Sequence, residues 1–200
     1  MKGKIEEILT FWFGSIGAVD DFPKNKSDLW FKKDKSVDIK IRETFEGDLK
    51  RACGGQYDSW LTEPTGMMAQ IILLDQFSRN MFRGKPEAFR YDPLALKICK
   101  AGLFQESDLQ LPYIYRVFFY LPLEHSEDLL DQNQSIEQFT ELKESVPEVQ
   151  KEIYGNFLEF ALRHKKIIQH FGRFPHRNAI LGRDSTPEEE EFLKQPGSGF

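Results

Sequence analysis

Apolar positions along the chain recur mostly at three- and four-residue intervals, the spacing of one helical face, and no stretch between turn signals alternates as a half-buried strand would. Helices are expected throughout and strands nowhere. The densest apolar stretch is residues 67–83. At about 100° per residue, Met68, Ile71, Ile72, Leu73, Leu74 and Phe77 leave no polar arc in its first half, so that half must be buried. In the second half Asp75, Gln76, Arg79, Asn80 and Arg83 gather within an arc of about 140°, while Phe77, Met81 and Phe82 continue the apolar side. A polar arc thus grows out of a core helix. It faces either solvent or an internal cleft, where each charge must find a partner because an unpaired buried charge costs several kcal/mol. Asp75 and Arg79, at i and i+4, can pair directly.

The same spacing places the other elements. Residues 5–13 form a short amphipathic helix ending at Gly14 and anchored by Phe11, Trp12 and Phe13. Ser27 caps a turn carrying Trp30 and Phe31, and Ser36 or Asp38 caps a helix through Ile41, Phe45 and Leu49 to Gly54. Pro64 and Thr65 open the central helix, which closes at Gly84, and Asp92, as cap before Pro93, starts the next. Pro112 begins a short helix, apolar or aromatic all round except for Arg116, that stops before Pro122. Ser126 caps a helix with Glu127 and Asp128 in its first turn and a restart at Ser135. The longest helix covers residues 148–171, with the stripe Val149, Ile153, Phe157, Phe160, His164, Ile168 and Phe171, and ends at Gly172. Residues 173–184 are irregular or one short turn, a capping box of Ser185 with Glu188 opens the last helix, and residues 195–200 are a tail. The expected architecture is all-α, eight or so helices packed as antiparallel neighbours in a single domain of residues 1–200.

Composition narrows the partners. A chain of 200 residues, 40% hydrophobic and 30% charged, is long enough to bury one core. Its net charge of -5 argues against general affinity for nucleic acid or anionic membrane, both of which need a positive surface field. Cys53 and Cys99 have no CxxC spacing, as expected in a reducing cytosol. Glu6 and Glu7 follow Lys2 and Lys4 and interrupt any signal-peptide core, and no apolar run reaches the about 18 residues of a membrane helix. A cytoplasmic location is expected.

Arginine placement changes the picture more. Of ten arginines, eight lie from Arg79 onward, and Arg79, Arg83, Arg116, Arg173, Arg177 and Arg183 stand in or beside apolar segments. A planar guanidinium tolerates burial and grips carboxylate or phosphate through two hydrogen bonds. These residues therefore point either to an anion-binding pocket or to a structural ion-pair network with Asp75, Glu124, Glu127, Asp128 and Asp184. His125 stands beside Glu127 and Asp128, and His125 or His176 is a candidate general base. No histidine spacing matches a metal signature, and no metal or other cofactor is expected. His164, inside an apolar stripe, reads as a core histidine bonded to a nearby carbonyl or carboxylate. His176, Arg177, Asn178 and Arg183 share a connector, where polar residues are better functional hints than on a helix face. There is no glycine-rich phosphate loop, GxSxG elbow, HExxH or Cys-His arrangement, so the usual nucleophilic hydrolysis is unsupported.

Residues 73–80 (LLDQFSRN), 120–128 (YLPLEHSED), 176–183 (HRNAILGR) and 185–189 (STPEE) closely resemble the domain of unknown function 924 family. Residues 11–14 (FWFG), Trp30 with Phe31, Asp92 with Pro93 and Pro196 with Gly197 add to the likeness, which covers nearly the whole chain. It implies a tetratricopeptide-like helical array without obvious sequence repeats and with no assigned activity. Ser78 stands where the family often has proline, a departure that leaves Asp75, Gln76 and Arg79 untouched.

The leading expectation is that Asp75, Gln76, Arg79, Asn80, His125, Glu127, Asp128, His176, Arg177, Asn178 and Arg183 converge on one cleft that binds a small anionic ligand. The competing one is a helical scaffold for a peptide or protein partner, with the polar cluster purely structural. A hydrolase using His125 or His176 as general base beside a carboxylate is the third. The sequence leaves open whether turnover occurs and what the oligomeric state is.

Overall fold

Every residue from Gly66 to Ser78 is buried, so the stretch with no polar arc lies at the centre of the molecule. The computed structural model describes residues 2–199, among which there are helices, turns and loops but no strand. Helices α1 (Lys2–Phe13), α2 (Ser27–Phe31) and α3 (Lys35–Cys53) precede the central rod. The rod is α4 (Pro64–Ile71), one π-helical stretch (Ile72–Phe77) and α5 (Ser78–Met81), and its backbone stays helical through both junctions. It is followed by α6 (Asp92–Phe104), α7 (Tyr113–Glu124), α8 (Leu129–Ser145), α9 (Lys151–Phe171), α10 (Asn178–Leu181) and α11 (Pro187–Leu193). No helix among the described residues is long and apolar enough to cross a membrane.

Aromatic packing holds the rod in place. The ring of Phe77 meets Phe11 at 5.7 Å, Trp12 at 5.6 Å and Phe45 at 4.7 Å, tying it to α1 and α3. Trp12 in turn meets Phe118 of α7 edge-on at 5.6 Å. Burying one such side chain stabilises by about 1.5–3 kcal/mol, and each favourable ring pair adds about 0.5–1.5 kcal/mol. A second, smaller apolar cluster joins Ile167, Ile168 and Phe174 with Phe171 and Phe192, and it seats the C-terminal segment on the end of α9.

Several boundaries differ from those the local signals predict. Asp34, not Ser36 or Asp38, caps α3, its carboxylate accepting from the backbone N–H of Ser36 at 2.7 Å and of Val37 at 3.4 Å. Pro122 lies inside α7 and does not end it. The hydrogen bond that proline cannot donate is one among many in a helix buried on nearly every side, and tertiary packing outweighs the loss. Asp128 is itself the cap of α8, so Glu127 and Asp128 precede the first turn, and α8 runs through Ser135 without a restart. A 3-10 turn, Glu148–Gln150, comes before α9 and rotates its register, so Val149 is 91% exposed and the buried face is Tyr154, Ala161, His164, Ile167 and Ile168. The last capping box pairs Thr186 with Glu189, one residue later than expected. Of the expected tail, Phe200 lies outside the described residues.

Gly172 ends α9 as expected. Its φ of 68° lies in the left-handed region, its N–H donates to Ile168 O at 2.8 Å, and the residues that follow bring Phe174 to Glu127 and Arg177 to Asp92.

Candidate functional site

The π-helical stretch carries Asp75 and Gln76. Such stretches insert an extra residue into a turn and occur frequently at functional sites. Asp75 is fully buried. Its carboxylate bonds His125 Nδ1 at 2.8 Å and Gln76 Nε2 at 2.6 Å and pairs with the charge of Arg79 at 3.1 Å, while Arg79 Nη1 donates to the Asp75 main-chain oxygen at 2.9 Å. Burial by itself would raise the Asp75 carboxyl. The charge of Arg79 and the bond from His125 more than offset it and hold the group well below the usual carboxylate range.

Arg79 is a bridge. Its guanidinium grips Asp92 with Nη1 at 2.9 Å and Nη2 at 3.0 Å while Nη1 also reaches Asp75. The Asp92–Pro93 pair predicts a cap at Asp92, but Tyr91 holds the cap position of α6 and the Asp92 side chain accepts from Arg79. Arg177, from the 3-10 turn Pro175–Arg177, completes the group. It is 7% exposed, its guanidinium carbon sits 4.4 Å from the Phe174 ring centre and 4.9 Å from that of Phe89, and its nearest carboxylate oxygen, on Asp92, is 3.7 Å away. Its Nε is buried with no hydrogen-bond partner. Burial, seconded by the charge of Arg79, pulls the Arg177 guanidinium down to about 10.

The imidazoles of His125 and His176 are pushed toward their neutral forms. Burial and the charge of Arg79 lower His125 despite the pull of Asp75, and burial with the charge of Arg177 takes His176 down to about 4. A neutral His125 facing a carboxylate through Nδ1 carries its proton there, which makes Nε2 the acceptor. His164 has Nδ1 2.9 Å from Phe160 O and 3.0 Å from Glu124, the core histidine bonded to carbonyl and carboxylate that its apolar stripe suggested, and its ring centre is 6.3 Å from that of His125. The side chains of Arg79 and Asp92 remain 20% exposed, that of His125 15% and that of Arg177 8%, so each keeps some access to solvent.

The structure thus brings Asp75, Gln76, Arg79, His125, His176 and Arg177 together. It sends the other expected residues elsewhere. Asn80 and Arg83 turn to Asp38 of α3, at 2.9 Å from Asn80 Nδ2 and at 2.7 and 2.8 Å from Arg83. Glu127 takes a forked bond from Arg183, at 2.6 and 3.0 Å, and the N–H of Phe174 at 2.8 Å, which buckles the C-terminal segment to the loop after α7. Asn178 accepts from Arg183 and donates to Ser185 and Glu189, and Asp128 is an exposed cap. Arg173 pairs with Glu189 and Arg116 with Tyr120, so most of the arginines are accounted for by structural bonds. Asp92, Phe89 and Phe174 are members of the group that the sequence reading does not place in the site: it takes Asp92 as a helix cap, and nothing local to these residues signals contact with Arg79 or Arg177.

Surface hollows lie elsewhere too, one of about 330 Å³ beside Phe171 and Phe192 and two of about 430 Å³ near Cys53 and near Ile16. None is lined by a residue of the group, and none surrounds a buried charge. Concentrated, incompletely bonded charge, and not volume, marks the site. Among the described residues, no set of three or more His, Cys, Asp or Glu side chains is placed to hold a metal ion.

A family model described as bacterial protein of unknown function (DUF924) matches residues 8–197. A solved structure, that of protein of unknown function ATU0120 from Agrobacterium tumefaciens, is similar with 33% sequence identity and a TM-score of 0.81, over 96% of this chain and 98% of that one. No curated protein matches the chain.

Proposed function

We propose a ligand-binding role for this chain, which belongs to the DUF924 family of bacterial proteins of unknown function: the group of Asp75, Arg79, Asp92, His125, His176 and Arg177 binds a small anion. One observation carries the reading. Arg177 is a buried cation whose Nε meets no acceptor and whose nearest carboxylate stands at 3.7 Å, beyond hydrogen-bond length. A buried polar group left unbonded costs about 1–3 kcal/mol, more when charged. An anion seated against the guanidinium fork supplies an acceptor that the chain itself does not, with the rings of Phe174 and Phe89 flanking the cation at 4.4 and 4.9 Å. The other arginines of the region lack this feature because each already holds a carboxylate or a phenol in hydrogen-bond contact.

Thermal unfolding in the presence of acetate, benzoate, citrate and inorganic phosphate tests the reading. A ligand present at a hundred times its dissociation constant stabilises by about 2.7 kcal/mol. At least one anion is expected to raise the melting temperature of the natural chain and to leave Arg177→Met unmoved. Equal shifts in the two proteins, or none in either, contradict it.

A further inference from the structure

The Asp75–His125 pair has a feature that anion binding alone does not use. Neutral His125 holds its proton on Nδ1, against a buried carboxylate that is itself fixed by Arg79 and Gln76, and so keeps a lone pair on Nε2. Imidazole orientation by a buried carboxylate is what a general base requires, and His125 has that carboxylate at 2.8 Å. Among the described residues no serine, threonine or cysteine is bonded to it. Ser78 Oγ donates instead to Leu74 O at 2.6 Å, and Cys99 is buried in the core. A base without a protein nucleophile acts on water.

The charges select the ligand. Asp75 and Asp92 balance Arg79 and Arg177, and Glu124 adds a further carboxylate nearby, so a singly charged carboxylate ligand meets less repulsion than a phosphate dianion.

We propose that the group is a hydrolytic site for small carboxylate-bearing esters, with His125 as general base, Asp75 as its positioning residue and Arg177 as the anchor of the substrate carboxylate. This rests on the anion-binding reading above. In the step, His125 Nε2 takes a proton from water as the water oxygen bonds to the ester carbonyl carbon, and the carbonyl electron pair moves onto oxygen. The tetrahedral intermediate then collapses, the bond to the alcohol oxygen breaks, and His125 returns the proton to that oxygen, giving an acid and an alcohol and restoring the neutral imidazole. The charged and titratable groups around His125 are Asp75 and Arg79 of the rod, Glu124 of α7, His164 of α9, and His176 and Arg177 of the C-terminal segment. Burial and Arg79 outweigh the carboxylates, so the base is already free below the ordinary histidine range.

The experiment measures hydrolysis of 3- and 4-acetoxybenzoate, with phenyl acetate as the uncharged control, together with calorimetric binding of benzoate. The natural chain is expected to hydrolyse at least one acetoxybenzoate about a hundredfold faster than His125→Gln, the low end of what a positioned base contributes, and to show no such preference for phenyl acetate. Its rate should rise with pH and level off with a midpoint below 6.5, the ordinary histidine value. His125→Gln should still bind benzoate, and Asp75→Asn should move the midpoint of the pH profile. Nitrogen-15 NMR of the natural chain should show the His125 proton on Nδ1, a readout that needs no variant to fold. If benzoate binds but His125→Gln hydrolyses as fast as the natural chain, or if the proton sits on Nε2, the hydrolytic proposal is overturned while anion binding stands. If benzoate fails to bind the natural chain, the hydrolytic proposal falls, and the anion reading falls with it only if acetate, citrate and phosphate leave the melting temperature unmoved as well.

Discussion

His125 Nδ1 and Asp75 Oδ1 lie 2.8 Å apart, though fifty positions separate the two residues in the chain. The contact joins the π-helical stretch of the central rod to the C-terminal end of α7, and Arg79, Asp92 and Arg177 assemble around it. The pair is thus at once a tie between core elements and the inner wall of the proposed site.

Acid should weaken the fold in two stages. His176 accepts a proton near 6.5 when unfolded but only at about 4 when folded, and His125 is lowered in the same direction. Between those values the unfolded chain binds more protons, so stability falls as pH drops from about 6.5 to about 4. Below that, Asp75, whose folded value is depressed, loses its contribution as it is protonated in turn. With the histidines partly solvated, the first stage should amount to on the order of 1–2 kcal/mol, or about 2–8 °C in melting temperature. A melting temperature unchanged between pH 7 and pH 5 contradicts this.

Glu127→Gln should loosen one segment selectively. The charge on Glu127 holds both the guanidinium fork of Arg183 and the N–H of Phe174, and the carboxyl is lowered by these bonds against its burial. An amide can accept from only one side. Deuterium exchange should quicken across residues 173–193 and stay slow in α4, with a loss of about 1–3 kcal/mol. Uniformly faster exchange along the whole chain is the outcome that opposes it.

Phe77→Ala should be the most damaging single truncation of the rod. The ring is fully buried against Phe11, Trp12 and Phe45, and its removal should cost about 3–5 kcal/mol in denaturant unfolding. A loss under about 1 kcal/mol means that the rod is not clamped by these rings.

Asp92→Asn should separate stability from binding. It weakens the grip on Arg79 and removes the nearest negative charge from Arg177, so the fold should lose about 1–3 kcal/mol. Anion affinity should meanwhile rise by about 3- to 10-fold, because a competing carboxylate is gone. Affinity that drops along with stability speaks against an anion at Arg177.

Much of the fold was legible in the sequence because it depends on local spacing. The all-helical class, the buried first half of the rod, and the ends of α1 and α9 at Gly14 and Gly172 follow from periodicity and glycine placement. The errors came where a local rule met a longer-range one. Pro122 reads as a stop, but α7 is too well packed to end there. Asp92 reads as a cap because Pro93 follows it, and nothing local says that Arg79 claims it from the preceding rod. A reading at constant angular step groups Asn80 and Arg83 with Asp75 and Arg79. Adjacent helical residues point about 100° apart, and α3 offers Asp38 to one side while α6 offers Asp92 to the other. Arginine enrichment was a true signal of buried charge. It could not distinguish Arg183, which has a carboxylate, from Arg177, whose Nε has no acceptor.

Calorimetric titration of benzoate into the natural chain and into Arg177→Met at pH 6 tests the account most directly. Measurable binding by the first and at least about tenfold weaker binding by the second is the expected result. Equal affinity in the two proteins contradicts the claim that the buried arginine is the anion site.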